Sequence, residues 1–491
     1  MAQFPSTTAA DGIWTLKKVR RAILGDNWPA YYPPDEYFAN TVLLLNGNGT
    51  NGGQNNTFLD SSTNTHTITR NGNVTQGSFS PFSQDEGKWG NYFVDNAERL
   101  SATVTAPGTG DFTIEAWVWF DSLSSNQIIF AFGTFSPAIY YRNASNELAV
   151  YHSSAFYLSG FTPEVNTWYH IAFTRSGTDS RLFVDGVQKG STTTYSTNIS
   201  DTTFNIAYDG VDYFGGYLSN VRYVRGTAVY TSDFTPITTP LTAISGTELL
   251  TCQSNRFVDN SGNSRTITLT STPEVTPFSP FAPSTAYNPA TKGGSGYFDG
   301  SGDYLTTPSS ADLQLGSETY WTIEFWAYFV SSPSNFDVIL GKGVGSGTYE
   351  YFIEGFADNT IDFLYSSNGT TTWSGQFQVT PAMPNGRWFH LALVRNDTTF
   401  KSYVDGVEYF SGSSFNIYAG SGLLNIGGYS AGAQDPNLYL SNVRIVKGTA
   451  VYTSAFTPPT APVTAITNTS LLCNFTNASI IDRTGSNVLE T

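Results

Sequence analysis

The sequence is poor in cysteine, histidine and positive charge, and it contains no long apolar run. Two cysteines and four histidines in 491 residues exclude a disulfide-dense scaffold and argue against a zinc-type site. Lysine and arginine number 23 against 39 acidic residues, which gives a formal net charge of −16. Nucleic acids are bound by clustered positive charge, so we expect no nucleic-acid partner. No run of about 18 apolar residues is present, so we expect no membrane span.

The N-terminus also lacks the apolar centre of a secretory signal. We therefore expect a protein that either does not use that route or has already lost its signal. What the chain has in abundance is aromatic residues, at 15%, together with 46 glycines and 23 prolines. Strong strand formers separated by turn residues favour an all-β fold over a helical or mixed one.

A long internal repeat organises the chain. Residues 217–236 recur almost unchanged at residues 439–458, and we term these two stretches the closing blocks. Only three position pairs differ: Tyr223/Ile445, Arg225/Lys447 and Asp233/Ala455. The offset from Val221 to Val443 is that of one globular domain, and it exceeds the roughly 20–50 residues of solenoid repeats. The pattern predicts two copies of one domain, each ending in a structural block made of a strand and a clamp.

Strand signals recur in both copies. Residues 112–120 alternate so that Glu115 lies on one face and Ile114 on the other, and both faces are largely apolar, which predicts a central strand of a two-layer sandwich. Asp185-Gly186 and Asp405-Gly406 predict type I′ hairpin turns, because that turn needs a positive φ at both central residues. Cys252 and Cys473 follow Leu-Leu pairs at matching positions, so we expect two buried free thiols.

These patterns predict four segments. Residues 1–39 form an anchor with a short amphipathic helix and a proline-rich connector, residues 40–246 and 247–465 form two sandwiches, and residues 466–491 begin a truncated third copy that docks on the second sandwich. Each Leu-Leu segment is expected to belong partly to the preceding domain, so the boundaries are approximate. The helix needs a partner surface, either its own sandwich or another protein of an assembly. The predicted anchor side chains are Trp14, Leu16, Lys17, Lys18, Arg20, Arg21, Ile23 and Trp28.

At several of these stretches the sequence resembles the laminin-G-like branch of the concanavalin A-like lectin/glucanase superfamily. The carriers are residues 297–305 (Tyr-Phe-Asp-Gly-Ser-Gly-Asp-Tyr-Leu), 321–326 (Trp-Thr-Ile-Glu-Phe-Trp), 388–395, 403–407 and the closing blocks. The first copy departs at residues 95–98, where the Asp-Gly-Ser-Gly turn is lost. The resemblance implies two tandem antiparallel jelly-roll β-sandwiches, each with a concave sheet. The closing blocks are also similar to those in marine and cyanobacterial phage proteins, including virion appendage proteins.

The residues argue against catalysis. Glycosidases of this superfamily carry carboxylates two residues apart on one strand, whereas Glu115 and Glu324 each stand alone. His170 and His390 lie at matching strand positions and are expected to be sheet histidines with a satisfied ring nitrogen. Asp299 and Asp303 are candidate calcium ligands, as in some laminin-G-like domains, or else they cap turns. We expect no enzyme activity and no cofactor other than calcium.

Sugar binding is the better functional hypothesis, because flat rings stack on apolar sugar faces while polar neighbours bond the hydroxyls. The candidate glycan-binding residues are Tyr140, Tyr141, Tyr151, Tyr349, Tyr351, Tyr365 and Trp373. We expect a non-enzymatic, homo-oligomeric phage virion protein of capsid, neck, tail appendage or fibre. Residues 1–39 would bind other virion proteins, and the sandwiches would project and bind host-surface glycans for attachment. The alternative is a free or cell-surface lectin.

Overall fold

The computed structural model describes residues 57–476, except residues 95–96, 135–136, 282–287, 317, 344–347 and 431–433. The predicted N-terminal helix and its connector lie outside the described residues, as does most of the truncated third copy. All described residues fall in one compact unit, Leu43–Thr491.

Short antiparallel strands make up nearly all regular structure. The strands up to residue 276 are β1 (Thr69–Asn71), β2 (Thr75–Gly77), β3 (Gly90–Phe93), β4 (Arg99–Thr103), β5 (Phe112–Phe120), β6 (Gln127–Phe132), β7 (Ala138–Arg142), β8 (Glu147–His152), β9 (Ala155–Leu158), β10 (Trp168–Ser176), β11 (Asp179–Val184), β12 (Val187–Thr194), β13 (Thr203–Ile206), β14 (Gly216–Arg225), β15 (Thr247–Thr251), β16 (Ile267–Thr270) and β17 (Glu274–Thr276).

The second half repeats this order after a short helix, α1 (Pro289–Lys292). Its strands are β18 (Ser295–Asp299), β19 (Tyr304–Thr307), β20 (Tyr320–Phe329), β21 (Asp337–Lys342), β22 (Tyr351–Gly355), β23 (Ile361–Tyr365), β24 (Gly375–Gln378), β25 (Trp388–Asn396), β26 (Thr399–Val404), β27 (Val407–Ser413), β28 (Leu424–Ile426), β29 (Asn437–Lys447) and β30 (Thr469–Cys473).

The strands form four sheets in two lobes. In the first lobe a seven-stranded sheet, β16-β4-β13-β6-β7-β8-β9, packs on an eight-stranded sheet, β12-β11-β10-β5-β14-β3-β17 with β15 added beside β14. In the second lobe the seven-stranded sheet is β1-β19-β28-β21-β22-β23-β24, and the eight-stranded sheet is β2-β18-β29-β20-β25-β26-β27 with β30 beside β29. Two antiparallel sandwiches were predicted, and the described residues confirm an all-β fold of this kind.

Strand β5 is a central strand of its sheet, as the sequence predicts. β5 lies between β10 and β14, and its two faces are both largely buried. Ile114, Ala116 and Val118 face the core between the sheets, which places Glu115 on the outer face. Both predicted Asp-Gly turns are present, with Asp185 at φ 48° and Gly186 at φ 77° in the first. The cysteines are free and buried, as predicted.

The lobes do not follow the boundaries of the sequence repeat. β15, β16 and β17 belong to the second copy but complete the sheets of the first lobe. β1 and β2 belong to the first copy but pair with β19 and β18 of the second lobe. The predicted division into residues 40–246 and 247–465 therefore follows the repeat, whereas the sheets exchange their opening segments across it. The physical reason is that β3, β4, β18 and β19 each offer an open edge whose backbone groups need a partner.

The exchanged segments bind by the same contacts in both lobes. In the first lobe the Leu250 N–H donates to Asp259 Oδ1 at 3.1 Å. In the second lobe the Leu472 N–H donates to Asp60 Oδ1 at 2.9 Å, although Asp60 lies more than 400 residues away in the chain. The segment that begins at Asp60 thus fills the site that the segment beginning at Asp259 fills in the first lobe.

Aromatic residues continue this exchange on the outer faces of the eight-stranded sheets. Phe79 of the first copy contacts Tyr328, Trp388 and Tyr439 of the second lobe, with ring centroids 5.0–5.2 Å away. All four side chains belong to one apolar cluster that is continuous with the core of the first lobe. The two lobes therefore share one buried cluster.

The reciprocal contact is made by the second copy. Phe278 lies over Trp119, Trp168 and Tyr217 of the first lobe, at 4.8–5.4 Å between ring centroids. These rings stand side by side on β5, β10 and β14. Phe278 covers a row of rings that would otherwise be an open aromatic strip.

Truncating Phe79 is expected to destabilise the whole unit. Phe79→Ala should lower the free energy of unfolding by about 3–5 kcal/mol, because a buried ring is removed and its cavity cannot close. Chemical denaturation followed by fluorescence and circular dichroism measures this. Val211→Ala is the control, since Val211 is 64% exposed, and it should change little. An unfolding midpoint of Phe79→Ala equal to that of the parent would contradict the exchanged packing.

Candidate functional site

A buried charge network lies under each closing block. In the second lobe, Glu324 Oε1 accepts a hydrogen bond from Arg444 Nε at 2.7 Å and forms an ion pair with Arg444 Nη2 at 2.5 Å. Its Oε2 accepts from His390 Nε2 at 3.1 Å and from the Tyr452 hydroxyl at 2.8 Å. Both oxygens of this carboxylate are therefore fully occupied by protein donors.

The first lobe repeats the network. Glu115 accepts from Arg222, at 2.9 Å and 2.6 Å, from His170 at 3.1 Å and from Tyr230 at 2.9 Å. The Tyr230 ring stacks on Phe234 at 3.6 Å with an 8° angle between the planes, and the two rings cover the network. This confirms that the histidines are sheet residues with a bonded ring nitrogen, and it gives the closing block its function as a cover.

Burial would raise the pKa of Glu324, but the hydrogen bond from His390 and the charges of His390 and Arg444 lower it below the ordinary 4.5. The pKa of Glu115 is lowered in the same way, against its burial, by His170 and Arg222. These carboxylates are ionised, paired and closed to solvent at neutral pH. They hold the eight-stranded sheet together and are not placed to exchange protons with a substrate.

The predicted glycan-binding tyrosines of the first lobe lie on the seven-stranded sheet. Tyr141 faces the core, and Tyr140 is buried on the outer side of the sheet, so neither ring offers an open face. Tyr151 is half-buried and contacts Phe156 at 4.8 Å between centroids. The Arg142 guanidinium lies 4.6 Å above the Phe156 ring, which is 38% exposed.

In the second lobe the structure brings Tyr349 and Trp373 together. Their ring centroids are 5.2 Å apart at an angle of 69°, and both side chains are half-buried. Phe352 lies 5.1 Å from Trp373, and the Tyr349 hydroxyl lies 3.0 Å from the Tyr429 hydroxyl. We term Tyr349, Phe352, Trp373 and Tyr429 the aromatic platform. It lies on the outer face of the seven-stranded sheet.

Two members of the platform were not predicted from the sequence. Phe352 alternates along β22 with Tyr351 and Ile353, which are in the core, and this alternation is the signal that marks its outward position. Tyr351 and Tyr365 were predicted as glycan contacts, but Tyr351 is fully buried. Tyr365 packs on the core side, with its ring stacked 3.9 Å from that of Phe415.

A loop rich in hydroxyl and amide groups, residues 366–374, carries Trp373 and borders the other rings of the platform. The Tyr349 N–H donates to the Gly369 carbonyl at 3.4 Å, which ties the loop to the platform. Asn368 Oδ1 accepts from the Thr370 hydroxyl at 2.8 Å, and the Ser367 and Ser374 hydroxyls are 2.8 Å apart. Rings beside fixed polar groups can bind an apolar sugar face together with its hydroxyls.

The two candidate calcium ligands are already bonded to the chain. Asp303, which is 1% exposed, accepts from the Asn73 N–H at 2.5 Å, and Asp299 accepts from the Ser301 N–H at 2.8 Å. These bonds fix the Asp-Gly-Ser-Gly turn and the exchanged segment beside it. Among the described residues, no three His, Cys, Asp or Glu side chains converge as a metal site.

Comparison with known families identifies the fold. A family model described as the concanavalin A-like lectin/glucanases superfamily matches residues 94–228 and 299–451, more than half of the chain. The chain belongs to this superfamily. It carries two such domains in tandem, and the matched ranges contain the strands that frame both charge networks. No curated protein sequence matches the chain. No helix in the described ranges is long and apolar enough to cross a membrane.

Three solved structures illustrate the likeness. Domains LG4-5 of the mouse laminin alpha1 chain match at 11% identity and a TM-score of 0.26, over 74% of this chain and 92% of that one. A pentraxin from Limulus polyphemus matches at 17% identity and 0.26, over 30% and 80%. Domain 4 of an extracellular arabinanase from Geobacillus stearothermophilus, in complex with arabinotriose, matches at 19% identity and 0.25, over 32% and 72%.

Removing the network carboxylate is expected to unfold the second lobe readily. Glu324→Ala should cost about 3–5 kcal/mol of unfolding free energy, because Arg444 is left buried without a counter-charge. Because the folded-state pKa of Glu324 lies below its ordinary value, its contribution is present above about pH 4.5 and is lost as the pH falls through the folded-state pKa.

Denaturation curves of Glu324→Gln between pH 3 and pH 7 check the sign. The variant should show a weaker loss of stability on acidification than the parent. Glu318→Gln is the control, because Glu318 is 40% exposed and forms a longer ion pair with Lys447, at 3.5 Å. The denaturation curves of this variant should follow those of the parent. Equal pH dependence in Glu324→Gln and the parent would contradict the assignment.

Proposed function

We propose that this chain is a non-enzymatic carbohydrate-binding protein and that the aromatic platform of the second lobe holds a neutral glycan. The observation that carries the proposal is the platform itself. Tyr349 and Trp373 stand at 69° to each other on an outer sheet face, beside a loop of hydroxyl and amide groups. An angled ring pair of this kind contacts an apolar sugar face, while the loop bonds the sugar hydroxyls.

The buried charge networks support the non-enzymatic part of this proposal. The superfamily includes both lectins and glucanases, so the fold alone does not decide between binding and hydrolysis. The only outer-face glutamates on the central strands β5 and β20, among the described residues, are Glu115 and Glu324. Both are less than 2% exposed and sit under stacked rings, so neither can reach a glycosidic bond.

We also propose that the protein is a homo-oligomeric component of a phage virion and that residues 1–39 bind it to other virion proteins. Its support is the likeness of the closing blocks to those of phage appendage proteins. The shared aromatic cluster is compatible with it, because it joins the two lobes into one unit that would display the aromatic platform to host glycans.

Truncating the platform should strongly weaken glycan binding without unfolding the chain. Trp373→Ala and Tyr349→Ala are each expected to weaken binding about tenfold or more, since ring stacking dominates such contacts. Affinity electrophoresis against a panel of neutral polysaccharides measures the change. Tyr320→Ala is the matched control, because Tyr320 is an exposed ring at 42% outside the platform.

Two results would contradict the proposal. One is binding that survives both platform variants. The other is release of reducing sugar by the parent chain that Glu324→Gln abolishes, which would make the protein a hydrolase.

The virion assignment is tested on particles. Quantitative mass spectrometry of density-purified particles should find the protein at a fixed ratio to the major capsid protein. Deleting residues 1–39 should remove it from particles while the glycan binding of the chain remains. Recovery in the soluble or cell-surface fraction instead would favour a free or cell-surface lectin.

A further inference from the structure

The first lobe contains a cavity that the platform does not account for. It lies between β9 and β12, the edge strands of the two sheets, and its volume is about 220 Å³. Val150, Phe173 and Leu182 form an apolar floor, and each of these residues is at least 95% buried. Leu158 and Ser191 at the rim are exposed, so the cavity opens to solvent. It is smaller than the roughly 300–1,000 Å³ sites of drug-sized ligands and has room for one monosaccharide.

One sheet leaves this space open because a serine stands where the second lobe has a phenylalanine. Alternation along β11 directs Ser180 and Leu182 into the sandwich. Ser180 pairs with Arg175 of β10, and Phe400 pairs with Arg395 in the equivalent register of the second lobe. The first lobe therefore lacks one ring on this sheet.

The facing sheet lacks a second ring. Val150 occupies on β8 the register position that Phe363 occupies on β23. The rings of Phe363 and Phe400 lie 5.1 Å apart between centroids, so they fill the second lobe where Val150 and Ser180 leave space in the first. The second lobe thus shows that the fold accommodates rings at both positions.

The polar groups at the inner wall already bond one another. The Ser180 and Thr193 hydroxyls are 2.7 Å apart, and His152 Nε2 lies 3.1 Å from Thr193 Oγ1. Burial, with a smaller contribution from the Arg175 charge, lowers the pKa of His152 to about 4, so the ring is neutral at physiological pH. The inner wall therefore offers a ligand apolar contact and no charge.

Polar groups that reach solvent lie at the rim. Lys189 and Tyr157 line the opening and are both half-buried, and Ser191 is exposed. The Lys189 Nζ lies 5.3 Å above the Phe161 ring. The cavity is thus apolar at its floor and carries hydrogen-bonding groups at its mouth.

This polarity discriminates between kinds of sugar. A hexose placed with carbon 6 on the floor would bury a hydroxyl group that finds no free partner there, which is costly. A 6-deoxyhexose carries a methyl group at carbon 6 and buries only apolar surface, which is favourable. In either sugar the remaining hydroxyls would lie at the polar rim.

We propose that this cavity binds one 6-deoxyhexose residue of a glycan. The methyl group lies on the floor of Val150, Phe173 and Leu182, and the ring hydroxyls bond Lys189 and Ser191 at the rim. The inference rests on the proposed carbohydrate binding, but it uses a separate site with its own specificity. The first lobe thereby selects 6-deoxyhexoses, while the platform of the second lobe holds other neutral sugar residues.

Ligand-detected NMR titration of the full chain with two matched pairs of sugars tests the proposal. L-fucose and L-galactose differ only in the hydroxyl at carbon 6, and so do L-rhamnose and L-mannose. At least one of the two deoxy sugars should bind about tenfold or more tightly than its hydroxylated partner, since an unpaired buried hydroxyl is costly. Ser180→Phe and Val150→Phe, which introduce the residues of the second lobe, should each abolish this binding. Ser180→Ala is the matched control, because it leaves the cavity open, and it should bind as the parent does.

The outcomes separate this site from the platform. A preference for a deoxy sugar that is lost in both filled variants and kept in Ser180→Ala and Trp373→Ala supports the proposal. Three results overturn it: no binding of either deoxy sugar, no preference over the hydroxylated partner, or loss of the preference in Trp373→Ala. Failure of the platform alone would leave deoxy-sugar binding intact while neutral polysaccharides are no longer bound.

Circular dichroism shows whether the two filled variants are folded. A preference that survives in a folded filled variant overturns the proposal. If neither variant folds, Lys189→Met decides, because it removes a donor at the rim and leaves the floor unchanged. This variant should bind the deoxy sugar about threefold or more weakly, and an unchanged affinity overturns the proposal.

Discussion

The structure depends on one constraint, which is that neither copy of the repeat can close its own sheets. Each lobe has open edges at the strands that follow its opening segment, and it has a row of aromatic rings on the outer face of its eight-stranded sheet. The other copy supplies the missing strands and the covering phenylalanine in both cases, Phe278 in the first lobe and Phe79 in the second. Unpaired strand edges and exposed rings would favour aggregation. The exchange therefore both lowers the tendency to aggregate and joins the two lobes.

The buried charge networks of the two lobes are nearly identical, whereas their outer sheet faces and sheet edges differ. The Glu–His–Arg–Tyr networks agree to within a few tenths of an ångström, because a buried carboxylate tolerates no missing donor. The outer sheet faces and edge cavities have no such requirement. The second lobe carries the aromatic platform and a phenylalanine cluster at its sheet edge, whereas the first lobe has a cavity beside its edge strands β9 and β12. Variation of this kind, on a fixed interior, gives two copies of one fold different surfaces.

Local patterns in the sequence predicted the strands, the Asp-Gly turns and the buried thiols, because these depend on neighbours in the chain. The sequence also predicted that each Leu-Leu segment belongs partly to the preceding domain, and β15 and β30 do pair with β14 and β29. The pairing of β1 and β2 with the second lobe was not predicted, since strand periodicity does not say which sheet a strand joins. For the same reason the sequence could not separate the buried Tyr140 and Tyr351 from the half-buried Tyr349 and Trp373. Alternation assigns a side chain to a face, but the covering of that face is decided by residues far away in the chain. Phe352 could have been placed by its alternation along β22.

The measurement that tests the exchange most directly is cleavage of the connection between the lobes. A specific protease site placed at the exposed Thr238-Thr239 would divide the chain into two pieces, each of which contains strands of both lobes. The account predicts that the cut pieces elute together as one particle under native conditions and separate only in denaturant. If the pieces instead separate as two folded, independent sandwiches, each copy closes its own sheets and the account is wrong.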